Sequence, residues 1–180
     1  MDYTILRSRR KTVAIQITPE GQVQVHCPSR MPKWQVQQFV DSKMPWIEAH
    51  LNKITARPAV PKLTGQELQA LAKQAGEDLS QRVSRFAPLV GVSYGRITIR
   101  AQRTRWGSCS AKGNLNFNCL LMLAPETVRD YVVVHELCHR KEMNHSRRFW
   151  EEVEAVLPDC RLHRKWLKEN GSTLMARLPE

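Results

Sequence analysis

Alternating apolar and polar residues open the chain and predict a β-hairpin over residues 12–27. The apolar positions of this alternation are Val13, Ile15, Ile17, Val23 and Val25. A period of two is typical of strands with one buried face. The run Thr18-Pro19-Glu20-Gly21 carries Pro and Gly where a tight turn accepts them. Residues 3–10 predict a short additional strand.

The pattern then changes to a helical period. Residues 32–41 and 44–55 repeat apolar side chains three and four positions apart, which predicts two short helices. The proline-containing segment 57–61 breaks this period, so we expect a linker there. Thr64 and Glu67 beyond it form a capping-box pattern that predicts the start of a long helix.

Pro88 and Gly91 predict the end of that helix. Alternation then predicts strands over residues 97–101 and 115–123, and the polar, glycine-containing segment 103–110 between them predicts a loop. The chain beyond the linker is therefore expected to begin with a helix followed by a small sheet.

Residues 125–140 predict a buried helix, although propensity alone favours a strand over the β-branched run 131–134. The segment contains no turn signal after Pro125, and its apolar residues and histidines form one helical stripe. Because the segment is apolar nearly all round, we expect the helix to be central and buried. The stripe consists of Val128, Val132, His135 and His139.

Two more helices complete the pattern, one over residues 147–157 capped by Ser146 and one from a cap at Asp159 to about residue 171. This order predicts an α+β protein with two units. The first is a small N-terminal hairpin and two-helix unit, and the second contains a small sheet and a central helix. We expect the unit boundaries to be 1–57 for the first, 63–171 for the second, and 172–180 for a frayed tail.

Composition restricts the class of protein and its partners. The 180 residues are 42% hydrophobic and 25% charged, which is ordinary for a globular chain. No apolar run approaches the ~20 residues of a membrane span, and the N-terminus lacks the apolar region of a secretory signal. We therefore expect a cytoplasmic protein without membrane contact. The net charge of +11 favours encounter with nucleic acid, nucleotides or acidic polypeptides, or simply provides a solvated basic surface.

The chemistry of the chain is concentrated in the sequence Val134-His135-Glu136-Leu137-Cys138-His139. Two histidines four positions apart lie on one face of a helix, where both imidazoles reach one zinc ion. Glu136 is rotated by about 100° from His135, which suits a general base for water activated by the metal.

His145 is the candidate third ligand, provided that the helix ends soon after His139 and the chain turns back. Three protein ligands with one open position are typical of a catalytic zinc site. The spacing equals that of metzincins, but Glu142 stands where their turn glycine would be. We expect Asn144 to end the helix in a left-handed conformation. The alternative third ligand is a carboxylate from Glu151, Glu152 or Glu154.

Several motifs together resemble the YgjP-like metal-dependent hydrolases. They are the runs at 105–110 and 131–139, Asn144-His145-Ser146, Phe149-Trp150 and Trp166-Leu167. That family is grouped with zincin metallopeptidases and is similar in its motif to SprT-like proteases. The resemblance implies a zincin-type fold, one Zn²⁺ per chain held by His135, His139 and His145, and Glu136 as the base.

The substrate is left open by the sequence. A peptide carbonyl would make the chain a zinc metallopeptidase, and the resemblance favours this. The alternative is a nucleoside triphosphate (UTP-type) pyrophosphatase, because arginines flank the motifs and bind polyphosphate bidentately. A second alternative is a nucleic-acid-associated zinc-binding module. Segment 105–110 is a candidate oxyanion donor or a tight structural turn around Trp106. The candidate substrate-binding residues are Arg103, Arg105, Trp106, Ser108, Arg147 and Arg148.

Overall fold

The computed structural model contains two compact units, Met1–Ala59 and Val60–Glu180. It describes residues 2–18, 21–55 and 60–179. In these ranges, no helix is long and apolar enough to cross a membrane. Hydrophobic clusters form within each of the two units.

The first unit is a three-stranded sheet followed by two helices. Its elements are β1 (Thr4–Ser8), β2 (Ala14–Ile17), β3 (Val23–Pro28), α1 (Lys33–Ser42) and α2 (Met44–Thr55). Strand β3 is central, antiparallel to β2 and parallel to β1. The predicted hairpin and both short helices are therefore confirmed. Residues 19 and 20 of the predicted turn and 57–59 of the predicted linker lie outside the described residues.

The core of this unit follows from the alternation of its central strand. Every second residue of β3 is buried, and the helices supply the opposing side chains. The buried residues are Val23, Val25, Cys27, Val36, Val40 and Ile47. A period of two in the strand and of three or four in the helices thus directs both sets of side chains into one core.

The second unit contains the long helix, a second small sheet and three further helices. Its elements are α3 (Gly65–Val90), β4 (Ile97–Arg100), β5 (Gly107–Cys109), β6 (Leu115–Asn118), a 3₁₀ helix (Cys119–Leu123), α4 (Glu126–Cys138), α5 (Arg147–Val156) and α6 (Cys160–Met175). The sheet order is β4-β6-β5, with β6 parallel to β4 and antiparallel to β5. The α+β class is confirmed.

Helix α4 is the central element of this unit, as its apolar sequence predicts. It contacts α3, α5, α6, β5 and the 3₁₀ helix. The run Val132–Val134 and Leu137 are at most 3% exposed, so tertiary burial overrides the strand propensity of the β-branched residues. The capping box of Thr64 and Glu67 at the start of α3 is also present.

Two of the strand predictions were wrong in detail. The strand expected over 115–123 ends at Asn118, because its side chain accepts a hydrogen bond from Leu120 N and caps the 3₁₀ helix. Leu120 and Leu121 are both fully buried, which a one-faced strand does not allow. The loop expected over 103–110 contains strand β5, whose three residues are too few and too polar to produce an alternation.

Three predictions about helix ends were also wrong. Asn144 is not left-handed, since only glycines have positive φ in the described residues; instead, its Oδ1 accepts a hydrogen bond from Ser146 N. Asp159 precedes α6 but makes no side-chain cap. Residues 172–179 are not frayed, because α6 continues to Met175 and Leu178 is buried.

Candidate metal centre

Three histidines from two adjoining segments meet at one point. His135 and His139 are one turn apart at the end of α4, and His145 lies in the connection to α5. Each of them offers a ring nitrogen, and these nitrogens lie within 4.8 Å of one another. Nε2 of His135 and Nε2 of His145 are 3.0 Å apart. The return of the chain after His139 therefore brings the third imidazole to the first two, as the spacing predicts.

The connection between α4 and α5 orients the second histidine. Helix α4 ends at Cys138, and Nδ1 of His139 lies 2.9 Å from the carbonyl oxygen of Glu142. This hydrogen bond makes Nδ1 the donor and leaves Nε2 of the ring as the free acceptor. Glu142 thus contributes its backbone carbonyl at the position where metzincins have a glycine.

Aromatic side chains of α5 form one wall of the cluster. Ser146 caps α5 by accepting a hydrogen bond from Phe149 N. The Phe149 ring is fully buried, and its centroid lies 4.5–4.8 Å from those of all three histidines. Trp150 stacks against His145 at 5.9 Å. The imidazoles are therefore fixed by apolar packing on one side.

This environment favours the neutral form of His135 and His145. Burial, with the charges of His139, His145 and Arg164, lowers the pKa of His135 to about 3. Burial lowers the pKa of His145 as well, and His139 and Arg164 add to the effect. Nδ1 of His135 is buried without a hydrogen-bond partner in the described part of the chain. Neutral imidazole is the form that binds metals.

Glu136 is buried beside this cluster. Its side chain is 5% exposed, and burial raises the pKa of its carboxyl to about 8. The residue lies on α4 but faces the backbone of β5. A Cβ added to Gly107 would lie 2.6 Å from Oε1 of Glu136 and 2.9 Å from its Cδ. Only glycine lets the strand approach the carboxyl group this closely.

Strand β5 forms the edge of its sheet next to Glu136. Ser110 N donates to Asn114 O, and Asn118 N donates to Trp106 O. Because alternate residues of an antiparallel strand direct their N–H and C=O groups to opposite sides, those of Gly107 and Cys109 point away from β6. The edge of β5 thus carries backbone donors and acceptors close to the buried carboxyl group of Glu136.

The donor set suits a divalent metal ion. Nitrogens bound to one tetrahedral zinc ion at 2.0–2.1 Å lie about 3.3 Å apart, close to the 3.0 Å between His135 and His145. The glutamates considered as alternative ligands do not join the cluster. Each pairs with a cation instead: Glu151 with Arg147, Glu152 with Lys141 and Glu154 with Arg161. Among the described residues, the three histidines form the group that could hold a metal.

A family model described as "YgjP-like, metallopeptidase domain" matches residues 11–70 and 62–170. The chain belongs to the YgjP-like family. The match spans most of both units and includes the histidine cluster, Glu136 and β5. The chain is therefore a metallopeptidase-like domain, as its motifs indicate.

Two solved structures similar to this YgjP-like chain are metallopeptidase zymogens. Abylysin from Pyrococcus abyssi is 22% identical with a TM-score of 0.46, and the alignment covers 51% of this chain and 93% of abylysin. Jannalysin from Methanocaldococcus jannaschii is 19% identical with a TM-score of 0.46, covering 51% of this chain and 95% of jannalysin. No curated protein matches the sequence significantly.

The candidate substrate residues of the YgjP-like chain differ in their surroundings. Arg103 donates to the carbonyl of Pro179, and the Trp106 ring packs on Gly171 of α6. Ser108 Oγ accepts from Asn116 Nδ2. Arg147 is exposed and pairs with Glu151. The two remaining candidates, Arg105 and Arg148, are exposed.

Two features near the cluster were not predicted from the sequence. One is the contact of Gly107 with Glu136, which depends on the pairing of β5 with β6. The other is Arg164 on α6, whose guanidinium lies 4.5 Å from the centroid of the Trp150 ring. Neither contact has a local sequence signal. Gly107 and Glu136 are 29 positions apart in the chain, and Trp150 and Arg164 are 14 positions apart.

Proposed function

We propose that this chain is a zinc-dependent peptidase in which His135, His139 and His145 hold the metal and Glu136 is the general base. The observation that carries the proposal is that three imidazoles converge and that the buried Glu136 directly follows the first of them on α4. Three protein ligands leave one position of a tetrahedral ion open, as in catalytic zinc sites. When bound, zinc supplies a Lewis acid that polarises a carbonyl and makes water more acidic.

The role of Glu136 follows from its surroundings. Burial raises the pKa of its carboxyl group to about 8. A zinc ion bound nearby would favour the carboxylate form, because an opposite charge lowers the pKa of an acid. The carboxylate would accept a proton from the attacking water and return it to the leaving amine. A general base of this kind contributes about 10²–10⁴-fold to the rate.

The edge of β5 supports a peptide as the substrate. An extended peptide can add to an exposed sheet edge through main-chain hydrogen bonds. The outward N–H and C=O groups of Gly107 and Cys109 provide such an edge next to Glu136. We propose that they hold the substrate backbone, and that the candidate residue Ser108 acts indirectly by fixing β5 to β6.

The phosphate-binding alternative has less support. Several of the arginines that flank the motifs are engaged elsewhere. Arg140 donates to the carbonyls of Ser93 and Ala111, Arg147 pairs with Glu151, and Arg103 donates to Pro179. Nucleic-acid binding, with a structural rather than catalytic zinc, would leave the buried base Glu136 without a role.

The test compares substrates directly. The purified chain would be loaded with zinc, its metal content measured, and then offered unfolded casein, a peptide library and nucleoside triphosphates. We expect one zinc ion per chain and cleavage of peptide bonds that a chelator abolishes. Release of pyrophosphate from the triphosphates without any proteolysis would overturn the peptidase proposal.

A further inference from the structure

A cavity of about 520 Å³ opens between α5 and α6. It is lined by Arg147, Trp150, Glu151, Glu154, Cys160, Arg161 and Arg164. Trp150 lines this cavity and also stacks on His145, with ring centroids 5.9 Å apart and planes at 27°. The Trp150 side chain therefore contacts both the cavity and the histidine cluster.

The charges around the cavity do not balance. Arg147 Nε lies 2.7 Å from Oε1 of Glu151, and Arg161 Nη2 lies 2.8 Å from Oε1 of Glu154. Both lining glutamates are thus neutralised by lining arginines. Arg164 has no carboxylate within ion-pair distance among the residues that the structure describes, so it is the surplus cation of the cavity.

Arg164 lies over the Trp150 ring and makes no ion pair with the described residues. Its Cζ lies 4.5 Å from the centroid of the Trp150 ring, a separation at which cation and π system attract each other. No carboxylate of the described residues occupies its N–H groups, so they are available to a ligand. Those N–H groups match the two oxygens of a carboxylate.

We propose that Arg164 is a specificity residue that binds a carboxylate of the peptide substrate, close to the bond that is cleaved. This inference rests on the proposed peptidase function and adds a substrate class to it. The Trp150 ring lies 4.5 Å from Cζ of Arg164 and 5.9 Å from the ring centroid of His145, and an extended peptide advances about 3.3–3.4 Å per residue. The carboxylate therefore belongs to a residue within about three positions of the scissile bond, as an acidic side chain or as the C-terminal carboxylate.

The test uses peptide pairs that differ by a single isosteric change. In each pair, Glu at one position is replaced by Gln. Successive pairs move this position along the peptide on both sides of the cleaved bond. Each peptide is made once with a free C-terminus and once with an amidated one. We expect the zinc-loaded chain to prefer a carboxylate at one position by about tenfold or more in kcat/KM. The scan and the amidated peptides tell a side-chain carboxylate from a terminal one.

Three variants assign that preference to Arg164. In Arg164→Gln the preference is expected to fall to less than about twofold, and Arg164→Lys is expected to retain part of it, because a lysine keeps the charge without the planar fork. Lys168→Gln is the matched control, since it removes one charge from the exposed surface of α6 outside the cavity. Equal kcat/KM for all Glu and Gln pairs, or a preference that persists in Arg164→Gln, would overturn the inference.

A binding measurement separates this inference from the proposed function. Calorimetric titration of the same peptides into Glu136→Gln, with and without Arg164→Gln, reports recognition without cleavage. A carboxylate preference that is present in the first protein and lost in the second supports Arg164 even if the wild type cleaves no peptide, in which case the peptidase proposal alone fails. Absence of a preference in the first protein contradicts the role of Arg164 whatever the activity.

Discussion

At the level of single residues, Gly107 and Glu136 constrain each other. The strand passes so close to the carboxyl group that a Cβ on Gly107 would lie 2.6 Å from Oε1 and 2.7 Å from Cγ of Glu136. Real Cβ atoms do not approach a neighbour this closely, so any side chain at this position requires the carboxyl group or the strand to move. The glycine therefore sets the position of the proposed base.

Gly107→Ala is expected to lower kcat/KM for peptide cleavage by about tenfold or more, since small displacements of catalytic groups are costly. Overpacking of this kind also lowers the free energy of unfolding by about 1–3 kcal/mol. The matched control is Gly76→Ala in α3, where an added Cβ meets nothing within 4 Å and helix propensity predicts a gain of about 0.5–1 kcal/mol. Steady-state kinetics and urea unfolding measure both effects. Full activity of Gly107→Ala would show that this contact does not position the base.

At the level of elements, an ion-pair network joins α3 to α4. Asp78 on α3 accepts hydrogen bonds from Nε and Nη2 of Arg82 at 2.7 and 3.0 Å, and from Nη1 of Arg129 on α4 at 3.1 Å. Arg82 also pairs with Asp130 of α4. Burial by itself would raise the pKa of Asp78, but the hydrogen bonds and charges of Arg82 and Arg129 outweigh it, so its pKa is lowered.

This network predicts a pH dependence of stability. Because the pKa of Asp78 is lower in the folded chain than in the unfolded one, its contribution is fully present above about pH 4, near the unfolded value. The contribution is lost as the pH falls through the lower folded pKa. Asp78→Asn should lower the free energy of unfolding at pH 7 by about 1–3 kcal/mol and flatten its decrease below pH 4.

Urea unfolding at several pH values measures both changes. Glu77→Gln is the control, because Glu77 is the exposed neighbour of Asp78 on the same helix. This substitution should leave the decrease of the free energy of unfolding below pH 4 unchanged. If the free energy of unfolding of Asp78→Asn falls below pH 4 as steeply as that of the wild type, other carboxylates control this decrease.

The elements also show which parts of the fold the sequence predicts and which it does not. Long periodic segments were predictable, including α4, because a stripe through Val128, Val132 and His135 outweighs the strand propensity of its β-branched residues. Strand β5 was not, since its three residues acquire their structure from pairing with β6 rather than from their own pattern.

Helix ends depended on tertiary contacts for the same reason. Asn144 uses its side chain to accept a hydrogen bond instead of taking a left-handed conformation. The end of the chain is fixed by the burial of Leu178 against Leu63 and Leu120. In the site, the three histidines and Glu136 share a short local motif and could be found from spacing. The contacts of Gly107 with Glu136 and of Arg164 with Trp150 could not, because these partners are distant in sequence.

At the level of the whole molecule, the described hydrophobic clusters each draw on residues of one unit. The cluster around α4 and the metal centre lies within Val60–Glu180. We propose that this unit folds by itself and carries the complete metal site. Its 121 residues, counted from Val60 to Glu180, are within the usual size of an independent domain.

Residues 60–180 expressed alone are expected to unfold cooperatively and to bind one zinc ion. Zinc at 100 times its dissociation constant should stabilise this unit by about 2.7 kcal/mol. Differential scanning calorimetry with zinc and with a chelator measures the shift, and His145→Ala in the same unit is the control that should lose it. A non-cooperative transition, or a zinc shift that persists in His145→Ala, would contradict this proposal.

The most direct test of the central claim compares zinc content and peptide cleavage in three full-length proteins. The wild type should contain one zinc ion and be active. Glu136→Gln should keep its zinc and lose activity by about 10²–10⁴-fold, because it removes a base and not a ligand. His145→Ala should bind zinc at least about 100-fold more weakly. This loss is larger than the one expected on removing a residue that only hydrogen-bonds to a ligand, because His145 binds the metal directly. Wild-type activity in Glu136→Gln, or unchanged zinc affinity in His145→Ala, would contradict the account.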